Sequence, residues 1–78
     1  MQIYVGNLPW SYTSADLRDL FEAHGAVVTA NVVVERDTGR SRGFGFVEME
    51  SEDEAKAAIE ALHGSDCDGR KLTVETAR

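Results

Sequence analysis

Four side chains in this sequence combine flat ring faces with a fixed positive charge, at a spacing suited to holding a planar anionic ligand. In Arg42-Gly43-Phe44-Gly45-Phe46-Val47-Glu48-Met49, strand alternation sends Phe44, Phe46 and Glu48 to one face and Gly45, Val47 and Met49 to the other. Val47 and Met49 mark the second face as the core side. The two phenylalanines therefore face away from the core, with Arg42 beside them. Large rings held in water gain nothing for a small domain, whereas a ring on a rigid strand is a platform on which a nucleobase stacks. Gln2 to Asn7 repeats the arrangement: Ile3 and Val5 point one way and Tyr4, a third ring, the other.

Other chemistries are poorly served. Cys67 is the single cysteine, so no internal disulfide forms and no Cys/His spacing suggests a metal. His24 and His63 each close a helix, where imidazole suits the carbonyl end. A ferredoxin-like hydrolase needs an arginine in a phosphate-cradling loop, and Leu8 to Tyr12 contains neither arginine nor glycine. No catalytic residue and no cofactor are expected. Trp10 and Tyr12 read as loop aromatics packed over a helix end, and Phe21 as core.

The elements that must position the rings follow from pattern. Thr13 caps a helix over Ser14 to His24, with Asp16 as a weaker capping-box partner, Leu17, Leu20 and Phe21 at helical spacing, and Gly25 as a stop. Val27 to Glu35 is β-branched and predicts a strand burying Ala30, Val32 and Val34, with Asn31, Val33 and Glu35 opposite. Arg36 to Ser41 makes the hairpin connection. Ser51 with Glu54 opens a second helix with a full capping box and an apolar stripe of Ala55, Ala58, Ile59 and Leu62, ended by Gly64. Asp68-Gly69 is a turn, and Lys71 to Ala77 a last strand with Leu72 and Val74 inward and Thr73 and Glu75 on the ring side. The order βαββαβ fits an α+β, ferredoxin-like sandwich: a four-stranded antiparallel sheet with two helices on one face.

Composition sets the remaining bounds. Seventy-eight residues make one small domain, taken as spanning 1–78. No apolar run approaches the ~20 residues of a membrane span, and Met1 runs straight into structure without a signal-like region. The lone cysteine suggests a reducing cytosol. A net charge of −6 opposes binding to phosphates, but the charge is uneven. Glu48, Glu50, Glu52, Asp53, Glu54 and Glu60 face one Lys56, whereas Arg36, Arg40 and Arg42 face one Asp37, and Arg70, Lys71 and Arg78 cluster near the end. The acidic run reads as a solvated helix face.

With these residues in view, the chain resembles the RNA recognition motif family along essentially its whole length. The family hexapeptide matches Ile3-Tyr4-Val5-Gly6-Asn7-Leu8 throughout, and the octapeptide matches Arg42 onward, departing at Met49, which falls on the core side. The shortness of the chain resembles small single-domain bacterial members. The resemblance implies that the first and third strands are neighbours at the sheet centre. It implies that Tyr4 and Phe46 each stack under a base, that Phe44 lies against the sugars, and that Arg42 pairs with a phosphate. Arg40 lies near the path, Asn7 organises the turn after the first strand, and Val33 and Glu75 line the platform edges. The expected ligand is single-stranded RNA, with single-stranded DNA equally compatible, in post-transcriptional RNA metabolism. The expected state is a monomer of micromolar-range affinity. The alternative is a protein-interaction module holding a peptide on the same rings.

Overall fold

The computed structural model describes residues 1–77, so the expectation attached to Arg78 lies outside the described residues. The elements run β1 (Gln2–Gly6), α1 (Ser14–Glu22), β2 (Val27–Val34), β3 (Ser41–Met49), α2 (Glu52–Leu62), β4 (Asp66–Cys67), β5 (Arg70–Lys71) and β6 (Thr73–Thr76). Four strands form one sheet in the order β2-β3-β1-β6, with every neighbouring pair antiparallel. The ferredoxin-like architecture is as expected. One insertion was not: β4 and β5 form a separate two-stranded hairpin before the last strand. Its turn, Asp68-Gly69, has positive φ at both residues (50° and 83°), the geometry that favours Asp-Gly in tight hairpins. The predicted strand from Lys71 to Ala77 is thereby split at Leu72.

The core lies between the sheet and the helices. Ile3, Val5, Leu8, Leu17, Phe21, Val47 and Ala55 have no exposure at all, and Leu72 and Val74 next to none. Burying a large aliphatic or aromatic side chain contributes roughly 1.5–3 kcal/mol, so this layer holds the sheet rigid beneath its free face.

The helix caps differ from expectation. The Thr13–Asp16 box is complete: the Asp16 amide donates to Thr13 Oγ1 (3.2 Å) and the Thr13 amide to Asp16 Oδ2 (2.9 Å). At α2 only half forms. The Glu54 amide donates to Ser51 Oγ (3.3 Å), but the Glu54 carboxylate accepts from the Ala26 amide (3.4 Å) instead of reaching back. A long-range donor, the Ala26 amide, thus takes the place of the local Ser51 amide. α1 also ends two residues earlier than predicted, at Glu22.

Both sheet edges are tied to helix side chains. On β2, Ser14 Oγ accepts from the Val32 amide (3.0 Å) and Arg18 donates to the carbonyls of Val27 (3.4 Å) and Val28 (3.3 Å). On β6, His63 Nδ1 accepts from the Val74 amide (3.0 Å). His63 therefore serves the strand beside it and not the carbonyl end of its own helix. Satisfying edge amides in this way removes a template for pairing with other chains.

Candidate nucleic-acid interface

The register places one residue from each strand in a row across the free face. Asn31 of β2 pairs with Phe46 of β3, Phe46 with Tyr4 of β1, and Tyr4 with Glu75 of β6. Phe44, one step along, pairs with Gly6. The three rings touch one another: centroids lie 6.0 Å apart for Tyr4–Phe44, 5.9 Å for Tyr4–Phe46 and 6.1 Å for Phe44–Phe46. Interplanar angles of 31°, 65° and 90° are the tilted and edge-on geometries that ring quadrupoles favour. All three are half-buried, shielded by each other and open to solvent on the outer side.

Glycines shape this surface. A Cβ on Gly6 would meet the Tyr4 hydroxyl at 2.6 Å and its ring at 2.9 Å, so Gly6 is where the tyrosine lies down along its own strand. A Cβ on Gly45 would collide with the Asn31 carbonyl and approach the Val32 backbone and Leu17 at 3.0 Å. Gly45 thus sets the close approach of β2 to β3 beneath Phe44 and Phe46.

The other anticipated residues are distributed unevenly. Arg42 is exposed and holds its guanidinium carbon 5.8 Å from the Phe44 centroid, a cation–π contact that keeps a charge at the platform margin. Glu75 shares the row with Tyr4. Val33 is half-buried at an irregularity: Val32 pairs with Gly45 but Val34 with Ser41, so β3 carries two extra residues between those pairs. Gly43 supplies the required left-handed backbone there, with φ 83°. Strict alternation therefore fails at the entry to β3.

Asn7 also has positive φ (59°) and spends both ends of its amide on structure. Its Nδ2 donates to the Lys71 carbonyl (2.8 Å) and its Oδ1 accepts from Arg70 (2.9 Å). Arg40 stands apart from the rings, on the β2–β3 hairpin facing the loop after β1. Asn31 is the residue missing from the expected site. Its signal was the same alternation that placed Val33, but only the register puts it beside Phe46.

Trp10 and Val34 depart from expectation. Trp10 does not pack over a helix end; it is 64% exposed and carries the Arg70 guanidinium 5.5 Å from its ring centroid. Val34, expected in the core, is 52% exposed because β2 there runs out into the hairpin. Tyr12 packs against the core margin, and its hydroxyl is pushed up to about 12, first by hydrogen bonding with Cys67, then by burial and the nearby charges of Cys67, Asp16 and Asp68.

Charge is segregated. α1 carries Asp16, Asp19 and Glu22 against Arg18, and α2 carries Glu52, Asp53, Glu54 and Glu60 against Lys56. These sum to −2 and −3, five of the six net negative charges of the chain. The acidity therefore lies on the helical layer, behind the sheet. Among the described residues no cluster of three or more His, Cys, Asp or Glu could hold a metal, and no helix is long and apolar enough to cross a membrane.

Comparison with known proteins fixes what this platform belongs to. The RNA recognition motif family matches residues 3–73. The chain belongs to the RNA recognition motif family. It is 55% identical over 97% of its length to RNA-binding protein CP31B, chloroplastic, of Arabidopsis thaliana, and 55% identical over the same share to the 28 kDa chloroplastic ribonucleoprotein of Spinacia oleracea. The chain spans 26% and 33% of those relatives, respectively. Among solved structures, RNA Binding Protein PG1 superposes with a TM-score of 0.96 at 53% identity, covering 99% of this chain and 93% of that one. A Sex-lethal protein/RNA complex superposes with a TM-score of 0.92 at 36% identity, covering 97% of this chain and 47% of that one. The expected cytosolic location is contradicted by these relatives, which are chloroplastic.

Proposed function

We propose that this domain binds single-stranded RNA in RNA metabolism, with unpaired bases stacked on Tyr4 and Phe46, sugars against Phe44 and a phosphate on Arg42. The observation that carries the proposal is the cluster of three mutually touching rings, 5.9–6.1 Å apart, on the uncovered side of a rigid sheet. Each base stacked on a ring contributes roughly 1–3 kcal/mol. A duplex hides its base faces and cannot use them. Stacking does not distinguish the two sugars, so the same rings serve single-stranded DNA. Asn31 and Glu75, at the two ends of the ring row, supply an amide and a carboxylate for base edges or 2′-hydroxyls.

The work is binding rather than turnover: a π surface and a cation hold a strand but activate no nucleophile. The low isoelectric point, which lends weight to a peptide partner, arises mainly on the helices, with Glu48 and Glu75 the carboxylates that share the ring face with Arg42. Titration with fluorescently labelled, mixed-sequence single-stranded oligoribonucleotides at low and moderate salt tests the proposal. The expected result is saturable, micromolar binding that duplex of the same sequence does not reproduce. No binding at either salt concentration overturns it.

A further inference from the structure

The β4–β5 hairpin gives little to the core. Cys67 is its one apolar strand residue, and Leu72, the next buried side chain, lies beyond its end. Its other contacts run to the loop after β1. The Lys71 carbonyl accepts from Asn7 Nδ2 (2.8 Å), Arg70 donates to Asn7 Oδ1 (2.9 Å), and the Arg70 guanidinium carbon lies 5.5 Å from the Trp10 ring centroid. The Tyr12 hydroxyl hydrogen-bonds with Cys67 on β4. A hairpin that spends a carbonyl, a guanidinium and a thiol on one loop is a strut for that loop.

That loop in turn touches the entry to β3. Gly6 pairs with Phe44, and Asn7, the next residue, turns the chain with φ 59°. This left-handed backbone is one that asparagine tolerates, and the two bonds from the hairpin hold its side chain. The Leu8 amide then donates to the Gly43 carbonyl (2.8 Å), and a Cβ on Gly43 would stand 3.5 Å from the Trp10 indole Cζ3. Gly43 is the left-handed residue (φ 83°) between Arg42 and Phe44. Its placement therefore sets where the Phe44 ring and the Arg42 guanidinium stand. A path of direct contacts thus runs from Arg70 through Asn7 and Trp10 to Gly43, and so to the margin of the ring platform.

We infer that Arg70 is a positioning residue for RNA binding: with Asn7 and Trp10 it braces the entry to β3, so that Phe44 and Arg42 are already arranged when the strand arrives. The inference rests on the proposed stacking of RNA at Tyr4, Phe44 and Phe46. Arginine suits the role because its planar fork lies over an indole and donates a hydrogen bond from its edge, which a lysine ammonium does not reproduce. Without the brace the entry samples other arrangements, and apparent affinity falls with the fraction of molecules still competent.

The test is a double-mutant cycle, which separates coupling from mere proximity. A mixed-sequence single-stranded oligoribonucleotide is titrated, at several salt concentrations, against the unaltered domain, Arg70→Met, Arg70→Lys, Asn7→Gly, and Arg70→Met combined with Asn7→Gly. Glycine at position 7 keeps the left-handed backbone and removes only the amide. Each single variant, lysine included, should bind about fivefold more weakly, the factor that corresponds to one ordinary hydrogen bond. The combined variant should lose about the same factor and not the product of two, because both changes break one brace. The slope of log K against log[salt] stays unaltered in Arg70→Met, because no phosphate contact is lost. In the ligand-free variants the Gly43 and Phe44 amide resonances shift, and urea denaturation verifies that each variant is folded where it is titrated. A lowered urea midpoint with unchanged affinity overturns the inference, since the tie then serves stability alone. A flattened salt slope with rescue by lysine overturns it too, making Arg70 a phosphate contact, and so do losses that multiply. In each of these cases the unaltered domain still binds and the ring platform stands. Failure of the unaltered domain to bind brings down both.

Discussion

Tyr4 and Phe46 do different work from the core residues that flank them in the strands. Ile3, Val5, Val47 and Met49 are buried, whereas the rings are half-exposed and touch mainly each other. Replacing Phe46 by Ala should therefore weaken RNA binding by about 1–3 kcal/mol while shifting the urea midpoint little, which paired titration and denaturation would show. Tyr12 makes a prediction of opposite kind. Its pKa in the fold is raised from 10.0 to about 12, so the fold favours the neutral hydroxyl. That contribution is fully present below pH 10 and is lost as pH rises through the interval to 12. Urea denaturation across this range should show the unaltered domain losing stability relative to Tyr12→Phe. These roles were unequally legible. Alternation alone exposed the three rings, but the environment of Tyr12 depends on Cys67, which lies far along the chain.

The strands place these residues through two glycines and a histidine. Gly45 lets the β2 backbone pass close under β3, and a methyl group there would strike the Asn31 carbonyl. Gly45→Ala should destabilise the domain by about 1–3 kcal/mol, as overpacking does, measured as a lower urea midpoint. His63→Ala removes the acceptor of the Val74 amide at the edge of β6 and should cost about 1 kcal/mol, with faster amide exchange at Val74. Strand and helix order followed from periodicity, because apolar faces and turn residues are local signals. The diversion of Glu54 to Ala26 was not legible because its partner is distant in sequence. The β4–β5 hairpin is local, and its Asp68-Gly69 signal read as a turn without revealing the two short strands that it joins; the extra residues at the entry to β3 emerge only from the strand register.

The molecule as a whole resolves the conflict between an acidic chain and an anionic ligand by separating the charges. Its helices hold five of the six net negative charges and lie behind the sheet, while Arg42 stands beside Phe44 and Arg36 and Arg40 lie on the neighbouring hairpin. Few phosphates are neutralised at once. With three arginines engaged, log K should fall with log[salt] at a slope of about −2 for a single strand, and a much steeper slope would mean a larger cationic footprint than these residues provide. The sequence total of −6 could not reveal this polarity; the packing of both helices on one side does.

The central claim is that unpaired bases cover the ring trio on the uncovered side of the sheet. An NMR titration of the domain with short, mixed-sequence single-stranded RNA tests it most directly. The account predicts chemical-shift changes centred on Tyr4, Phe44 and Phe46 and their row neighbours Asn31 and Glu75. Changes confined to α1 and α2, with the ring resonances unmoved at saturation, would contradict it.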